Sequence, residues 1–430
     1  MTSFADLGLP RPIVNVLAKQ GITEPFPIQE EAIPDAMAGR DVLGRGPTGS
    51  GKTFTFGLPM LARLAGAPSK PGHPRGLILA PTRELATQIR ERLDDPAAAL
   101  GLRLLDVVGG VNINNHLRSL AAPVDVLVAT PGRAEDLINQ RKLFFDHVEI
   151  TALDEADQMA DMGFLPQVRK LLDRTPKGGQ RLLFSATLDG DVEKLIARYM
   201  TNPVTHSTAP VQAAVGTMEH YRLLVGDRDE RGDVVLRIGA REGKTIMFMR
   251  TKHGVDRQVK KLRRAGINAQ GLHGDKGQGA RTRALEGFGD GSAPVRVATD
   301  IAARGIDVDD VSLVVHVDPP AEHKAYLHRA GRTARAGSSG TVVTLVLDEQ
   351  EKEVQQLMNK AGVSATPVRV TAESAELAKI TGARTPSGTP LPPPGQPQQT
   401  KRATTVRNGK PTNPAGRASR RRPRSSSGRS

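Results

Sequence analysis

The chain has 430 residues, of which 38% are hydrophobic, a formal net charge of +14 and no cysteine. That length predicts two or three domains with real cores, and the missing thiols exclude disulfides and thiolate metal sites while fitting a reducing compartment. Only 3% of the residues are aromatic and none is Trp, so a nucleic-acid site built on stacked bases is not expected, which leaves contacts to sugar and phosphate.

The start, Met1-Thr2-Ser3-Phe4-Ala5-Asp6, lacks the basic-then-apolar order of a signal peptide, and no apolar run approaches the roughly 18 residues of a membrane span. The expectation is a cytoplasmic protein with no membrane segment. The first strong signal is Gly46-Pro47-Thr48-Gly49-Ser50-Gly51-Lys52-Thr53, which fits the Gly-x-x-x-x-Gly-Lys-Thr phosphate loop at every fixed position. Glycines let successive backbone N–H groups turn inward as an anion nest, and the following helix adds its positive end. Lys52 then reaches the β- and γ-phosphates of a nucleotide, and the Thr53 hydroxyl ligates the accompanying Mg²⁺. Asp41-Val42-Leu43 before the loop and Phe54 to Leu64 after it give the strand and helix the motif needs, with Pro59 expected to kink that helix or end its first segment.

Strand-like runs follow at Leu77 to Ala80, Leu104 to Val108, Val124 to Ala129, Val148 to Leu153 and Arg181 to Phe184. Helical patterns at Glu84 to Leu93, Ala134 to Asn139 and Leu165 to Leu172 alternate with them, which predicts a parallel, doubly wound α/β sheet. Ligands in such sheets bind at the carboxyl ends of the strands. A looser stretch after Tyr199 predicts a linker, and the alternation restarts with strands near Lys244 to Phe248, Ala269 to Leu272, Val295 to Ala298, Leu313 to Val317 and Gly340 to Leu347. The resulting division is residues 1–205 for the first domain, 206–217 for the linker, 218–368 for the second domain and 369–430 for a disordered basic tail. Residues 382–430 hold 11 Lys/Arg and no acid, a composition that buries too little apolar surface to order itself and that suits a polyanion or a merely solubilising role.

His147 to Leu153 reads as a strand ending in Asp154-Glu155-Ala156-Asp157. Asp154 there suits a Mg²⁺ held against the β,γ-phosphates, and Glu155 suits a group that positions or deprotonates an attacking water. Standing alone, the two acids also read as helix-capping residues.

With this tetrapeptide the chain resembles, over about residues 4 to 350, the DEAD-box family of ATP-dependent RNA helicases. Phe4 and Gly21-Ile22-Thr23-Glu24-Pro25-Phe26-Pro27-Ile28-Gln29 resemble its adenine-reading motif, whose Gln amide offers a donor and an acceptor to N6 and N7. The resemblance implies that Phe4, Ile22, Gln29, Thr48, Gly49, Ser50, Gly51, Lys52 and Thr53 bind ATP, with Asp307 on the ribose. It implies RNA-backbone contacts from Pro81, Thr82, Arg83, Gly110, Thr130, Pro131, Gly132 and Arg133 in the first domain and Gly274, Gln278, Arg281 and Thr299 in the second. Asp157, Ser185, Thr187 and His328 would couple hydrolysis to unwinding. In His328-Arg329-Ala330-Gly331-Arg332-Thr333-Ala334-Arg335, the spacing of His328, Arg332 and Arg335 puts them on one face of a helix or tight turn. Guanidinium groups that reach the γ-phosphate only on domain closure stabilise transition-state charge, an effect of roughly 10³ to 10⁵ in rate in other nucleotide hydrolases.

Three positions depart from the family pattern. Gly46 replaces a common alanine, Ile22 stands where many members carry an aromatic beside adenine, and Phe26 replaces a small polar residue. The expectation is two RecA-like α/β domains joined by a linker, with ATP, Mg²⁺ and single-stranded RNA across the cleft and unwinding of short duplexes. An ATP-gated RNA clamp or scaffold and a DNA translocase are the alternatives.

Overall fold

The structure, a computed structural model of the chain, describes residues 2–46, 49–188, 190–207, 218–303, 310–334 and 340–393, with the side chains of Gln278 and Ile301 outside that description. The first half opens with α1 (Arg11–Lys19) and α2 (Pro27–Met37), then β1 (Val42–Arg45), α3 (Lys52–Leu64), β2 (Gly76–Leu79), α4 (Arg83–Ala98) and β3 (Leu104–Val107). It continues through α5 (Ile113–Leu120), β4 (Val126–Ala129), α6 (Pro131–Asn139), β5 (Ile150–Leu153), α7 (Ala156–Asp161), α8 (Leu165–Leu172), β6 (Gln180–Ser185), α9 (Gly190–Tyr199) and β7 (Val204–Ser207). The second half runs β8 (Glu219–Leu224), α10 (Arg228–Gly239), β9 (Lys244–Phe248), α11 (Lys252–Arg264), β10 (Ala269–Leu272), α12 (Gln278–Gly289) and β11 (Val295–Ala298). After these come α13 (Asp300–Ala303), β12 (Val311–His316), α14 (His323–Ala330), β13 (Thr341–Val346), α15 (Glu351–Ala361), β14 (Thr366–Arg369) and α16 (Ala375–Thr381).

Each half forms a seven-stranded sheet, ordered β3-β4-β2-β5-β6-β1-β7 and β10-β11-β9-β12-β13-β8-β14. Renumbered from its own first strand, the second order is the same as the first, so the two halves repeat one winding. Every strand pairing is parallel. Helices cover both faces of such a sheet, so its central strands must be apolar on both sides. β2, β4, β5 and β11 are buried along their whole length. Alternate side chains enter opposite layers, with Ile78, Val128 and Ala152 in one cluster and Leu77, Leu127 and Leu153 in the other.

The structure narrows one expectation and corrects two. Of the two outcomes expected at Pro59, it does not end α3: the missing N–H removes one hydrogen bond, while Phe56, Leu58, Met60 and Leu61, on both sides of the proline, are fully buried. The looser stretch before the linker holds β7, which pairs with β1 and extends to Ser207, while residues 208–217 of the expected linker lie outside the described residues. The tail boundary also moves. Residues 369–393 are ordered: β14 ends at Arg369, and Leu377 of α16 is buried.

Backbone pairing rather than apolar burial docks the segment beyond α16. The Arg384 N–H donates to the Arg237 carbonyl at 3.0 Å, the Gly388 N–H to Ala265 at 3.0 Å and the Leu391 N–H to Arg263 at 2.8 Å. Arg241 Nε donates to the Thr381 carbonyl at 2.6 Å and Arg263 Nε to the Pro392 carbonyl at 2.7 Å. Composition alone does not reveal such a strap, because main-chain groups make most of it. No helix among the described residues is long and apolar enough to cross a membrane.

A chain ending at Gly382 loses the strap bonds that residues 383–393 supply, each about 0.5–1.5 kcal/mol net. It should melt several degrees below the full chain in differential scanning fluorimetry, whereas a chain ending at Pro393 should melt with it.

Candidate functional site

The phosphate-loop residues leave β1 at its carboxyl end and enter α3. Gly49 and Gly51 adopt φ of 87° and 88°, the left-handed region that side chains rarely tolerate. At Gly51 a Cβ would lie 2.6 Å from Gln29 Nε2 and 2.8 Å from Phe26 Cδ2, so glycine is also required by close approach. Lys52 opens α3, is nearly buried, and donates from Nζ to the Gly46 carbonyl at 3.1 Å. Ser50 and Thr53 are half-buried beside it, and Thr48 lies outside the described residues.

Gln29 ties α2 to this loop. Its Oε1 accepts from the Phe26 N–H at 2.9 Å, and its Nε2 donates to the Gly51 carbonyl at 2.9 Å, with the side chain only 1% exposed. One donor and one acceptor site of the amide are thereby used, and one of each remains for a base edge. The Phe26 contribution is its backbone, so replacing the small polar side chain leaves that bond intact, and the ring is 43% exposed beside Gly51. Ile22 packs half-buried against the core. Phe4, expected as a cofactor contact, is 2% exposed and belongs to the core cluster with Leu7, Ile13 and Leu17.

The acids follow β5, next to β2 and β6 in the sheet. Asp154, Glu155 and Asp157 are all buried. Glu155 sits at φ 50°, a left-handed conformation that costs a non-glycine residue about 1–3 kcal/mol and is typical of functional turns. Its N–H donates to Asp154 Oδ1 at 3.0 Å. Burial pushes the Asp154 carboxyl up to about 7, against the pull of Lys52 and with a further push from Glu155 and Asp157. Asp157 goes the other way. Burial would raise its pKa, yet His328, Lys52 and the Thr187 N–H outweigh that and hold it at about 2.

That anion is the centre of a knot. Asp157 Oδ2 accepts from the Thr187 N–H at 3.0 Å and from Thr187 Oγ1 at 3.2 Å, while Ser185 Oγ accepts from the Asp157 N–H at 3.1 Å and donates to the Thr187 carbonyl at 2.7 Å. His328, on α14 of the second half, brings Nε2 to 3.8 Å from the same Oδ2. The four residues expected to couple hydrolysis to unwinding therefore meet at one point. Arg332 follows α14 in a turn, 4% exposed, with Nε donating to the His328 carbonyl at 3.3 Å. Arg335 and Asp307 lie outside the described residues.

Of the residues expected on the RNA backbone, several do structural work. Thr82 caps α4, its Oγ1 accepting from the Leu85 N–H at 3.2 Å. Gly110 has φ 74°, and a Cβ there would collide with the Arg83 guanidinium, so that loop closes over Arg83. Thr130 and Pro131 are buried at the start of α6, and Gly132 is exposed. Arg133 turns inward, donating to the Val111 carbonyl at 3.0 Å and meeting His116 Nδ1 at 2.8 Å. Gly274 is exposed after β10 and Thr299 half-buried after β11, while the Gln278 backbone begins α12.

Arg281 is not free for a phosphate here: its Nε lies 2.7 Å from Glu84 Oε1, and both side chains are buried. This pair is another contact between the halves. Glu84 sits in the quoted Pro81 to Ala86 motif with no role assigned from sequence, and its burial in the first turn of α4 is visible only in the structure. Arg329 likewise carries no role expected from sequence. It grips Asp300 with Nε at 2.5 Å and Nη2 at 2.8 Å and donates to the Asp318 carbonyl at 2.8 Å, which fixes α14 against α13.

Because Gln29 hydrogen-bonds both Phe26 and Gly51, Gln29→Ala should remove about 1–3 kcal/mol of local restraint. Hydrogen–deuterium exchange should rise across residues 24–29 and 49–55 and stay unchanged in β5.

Residues 26–195 match the DEAD/DEAH box helicase family and residues 230–337 the helicase conserved C-terminal domain. The ATP-dependent RNA helicase CshA of Listeria monocytogenes is 39% identical over 348 residues, covering 80% of this chain and 66% of that protein. The DEAD-box ATP-dependent RNA helicase CshA of Bacillus cereus is 36% identical over 359 residues, covering 83% and 68%. The chain spans between about half and two thirds of the length of the first curated relatives it matches. A structure of Saccharomyces cerevisiae Dbp5 bound to RNA and ADP BeF3 superimposes with a TM-score of 0.79 at 28% identity, covering 89% of this chain and 99% of that one. With both domain matches in register with the two sheets, and the acids, phosphate loop and His328 brought together as that architecture requires, the chain belongs to the DEAD-box helicase family.

Proposed function

We propose that the protein is an RNA-dependent ATPase that closes its two RecA-like domains on ATP and single-stranded RNA, and that it uses this closure to separate short RNA duplexes. The observation that carries the reading is the Asp157 knot, in which an acid three residues from Asp154 is held by His328 of the other domain. Domain closure and the geometry of the hydrolytic acids are thereby one event. The likeness to Dbp5 bound to RNA and ADP BeF3 supports the same closed arrangement.

Mg²⁺ fits the donor set. Thr53 offers a hydroxyl and Asp154 a carboxyl, both hard oxygen ligands, and the Asp154 carboxyl is pushed up to about 7 by burial despite the pull of Lys52, with Glu155 and Asp157 adding to the push. Bound there, the ion would neutralise charge on the β- and γ-phosphates. Lys52 binds those phosphates, Glu155 orients the attacking water from its left-handed turn, and Arg332, with Arg335, reaches the γ-phosphate on closure. Gln29 offers its remaining donor and acceptor to adenine. Asp307 meets the ribose, and the loops after β2, β3, β4, β10 and β11 follow the RNA backbone. A cytoplasmic setting and RNA contacts from the basic tail complete the reading.

RNA-stimulated ATP turnover measured beside strand displacement tests it; turnover without displacement would make the protein an ATP-gated clamp, and turnover driven equally by DNA would make it a general translocase. Glu155→Gln should keep ATP affinity in a direct titration while hydrolysis falls roughly 10²-fold or more. Lys52→Ala should instead weaken nucleotide binding itself. Arg332→Ala should lower stimulated turnover by roughly 10³-fold with a modest change in ATP affinity, the pattern of a contact made chiefly in the transition state.

A further inference from the structure

We infer that the exposed face of α11 is an RNA-binding track outside the interdomain cleft, leading from the cleft motifs of the second domain to the C-terminal strap; the inference rests on the RNA-dependent reading above. α11 buries Val255, Gln258, Val259 and Leu262 against the sheet. Its opposite face exposes His253, Arg257, Lys260, Lys261 and Arg264. His253, Arg257, Lys260 and Arg264 follow at steps of four, three and four residues, so they form one stripe along the helix, with Lys261 beside it.

Both ends of the stripe are anchored to RNA-related parts of the chain. At the amino end, Lys252 Nζ pairs with Asp275 Oδ2 at 2.6 Å, placing the helix start against the segment that carries Gly274. At the carboxyl end, the strap hydrogen-bonds to Arg263 and Ala265 through Leu391 and Gly388. Beyond Pro393 the sequence holds 10 Lys/Arg and no acid. A strand leaving the cleft past Gly274 would meet the stripe next and then the point where the basic tail begins.

The charges on the stripe lack internal partners. Among the described residues, Arg257, Lys260, Lys261 and Arg264 make no ion pair or side-chain hydrogen bond. Asp256, the acid of α11, is taken by Lys276 Nζ at 2.8 Å and His273 Nε2 at 3.1 Å. Cations in the last turn of a helix also complement its dipole, which accounts for Lys261 and Arg264 but not for Arg257 two turns earlier. Like charges three and four residues apart repel, and a line of phosphates removes that repulsion. The partner is therefore a flexible polyanion in continuity with the cleft, which favours RNA over an acidic protein surface.

The test uses the full chain carrying Arg257→Glu, Lys260→Glu, Lys261→Glu and Arg264→Glu together, and a second variant with Gln at the same four positions. RNA-stimulated ATPase is measured with single-stranded oligouridylates of about 10 and about 40 nucleotides, the shorter matching the span of a single site. Both variants should need several-fold more of the longer RNA for half-stimulation. Its log–log salt slope should flatten by roughly two to three, at about 0.7 per phosphate contact. The short RNA and the turnover at saturation should be unaffected, which also shows that the variants fold. Truncation after Pro393 should weaken long-RNA affinity less in the stripe variants than in the parent, since one track is already broken. Unchanged affinity and salt slope on the longer RNA would overturn the proposal and leave a solvated face or an acidic protein partner. Equal loss with both RNAs would place the residues in the cleft and overturn it too. A parent chain whose ATPase ignores RNA would overturn instead the reading on which the inference rests.

Discussion

A buried carboxylate that must stay ionised constrains the whole site. Asp157 is out of water, where an isolated anion is strongly disfavoured, yet its pKa sits at about 2 because donors surround it. Two of those donations come from Thr187 just past β6, the positive field of Lys52 comes from the phosphate loop after β1, and the imidazole of His328 comes from the other domain. Separate the domains and the anion loses His328. Move the loop past β6 and it loses the Thr187 N–H. Three structural units are thus obliged to adopt one arrangement, and the acids on the short turn after β5 are positioned by it.

The repeated winding explains why such a point exists. In a parallel sheet all strand ends that carry loops suited to ligands lie on one side, and the same strand order in both halves gives each domain an equivalent loop face. Facing each other, the two rims contribute different chemistry. The first supplies Lys52 and the carboxylates, the second His328 and Arg332. Glu84 and Arg281 add a buried ion pair across the same junction. Breaking one partner of such a pair leaves a buried charge without compensation, typically a cost of about 3–5 kcal/mol, so this contact favours register between the domains more than it adds net stability.

How much of this was legible in the sequence varies with the physical origin of each element. β9, β10, β11 and α8 occupy the expected residues: β9 carries the apolar run Ile246-Met247-Phe248 and α8 a clear helical stripe, although β10 is an edge strand with Gln270 and Gly271 half-buried and β11 buries Arg296. β7, β8 and β14 leave no such trace. β7 and β14 are edge strands with half-exposed, polar-rich patterns, and β14 contains Pro367, which only an edge tolerates. β8 opens with Glu-His-Tyr-Arg before its two leucines and buries its histidine and arginine, so no hydrophobic run announces it. The phosphate loop and the acids stand out in the sequence because the chemistry expected of them fixes residue type and spacing, and His328 stands out through the family resemblance. The Glu84 to Arg281 pair does not, because it joins residues 197 positions apart. The strap is illegible for a third reason, being held by main-chain groups that every sequence shares.

The contrast between Asp154 and Asp157 gives the site its direction. Three residues apart on one turn, one carboxyl is pushed up to about 7 and the other held at about 2. The difference is partners: Asp157 has donors from the protein, whereas Asp154 faces Lys52 but shares its surroundings with two further acids. A raised carboxyl pKa favours the folded, metal-free arrangement at low pH and withdraws that favour as pH rises through about 7. At neutral pH the protein therefore holds a site that is short of positive charge beside a loop built for phosphate, which is long on it. On the proposed function, a divalent cation arriving with a polyphosphate would meet both deficits at once, whereas either alone would leave the other uncompensated. Binding of the pair would then stabilise the turn that carries Asp157 and, through His328, favour the closed domains. By reciprocity, a ligand that closed the domains from the RNA side would tighten the nucleotide by the same factor.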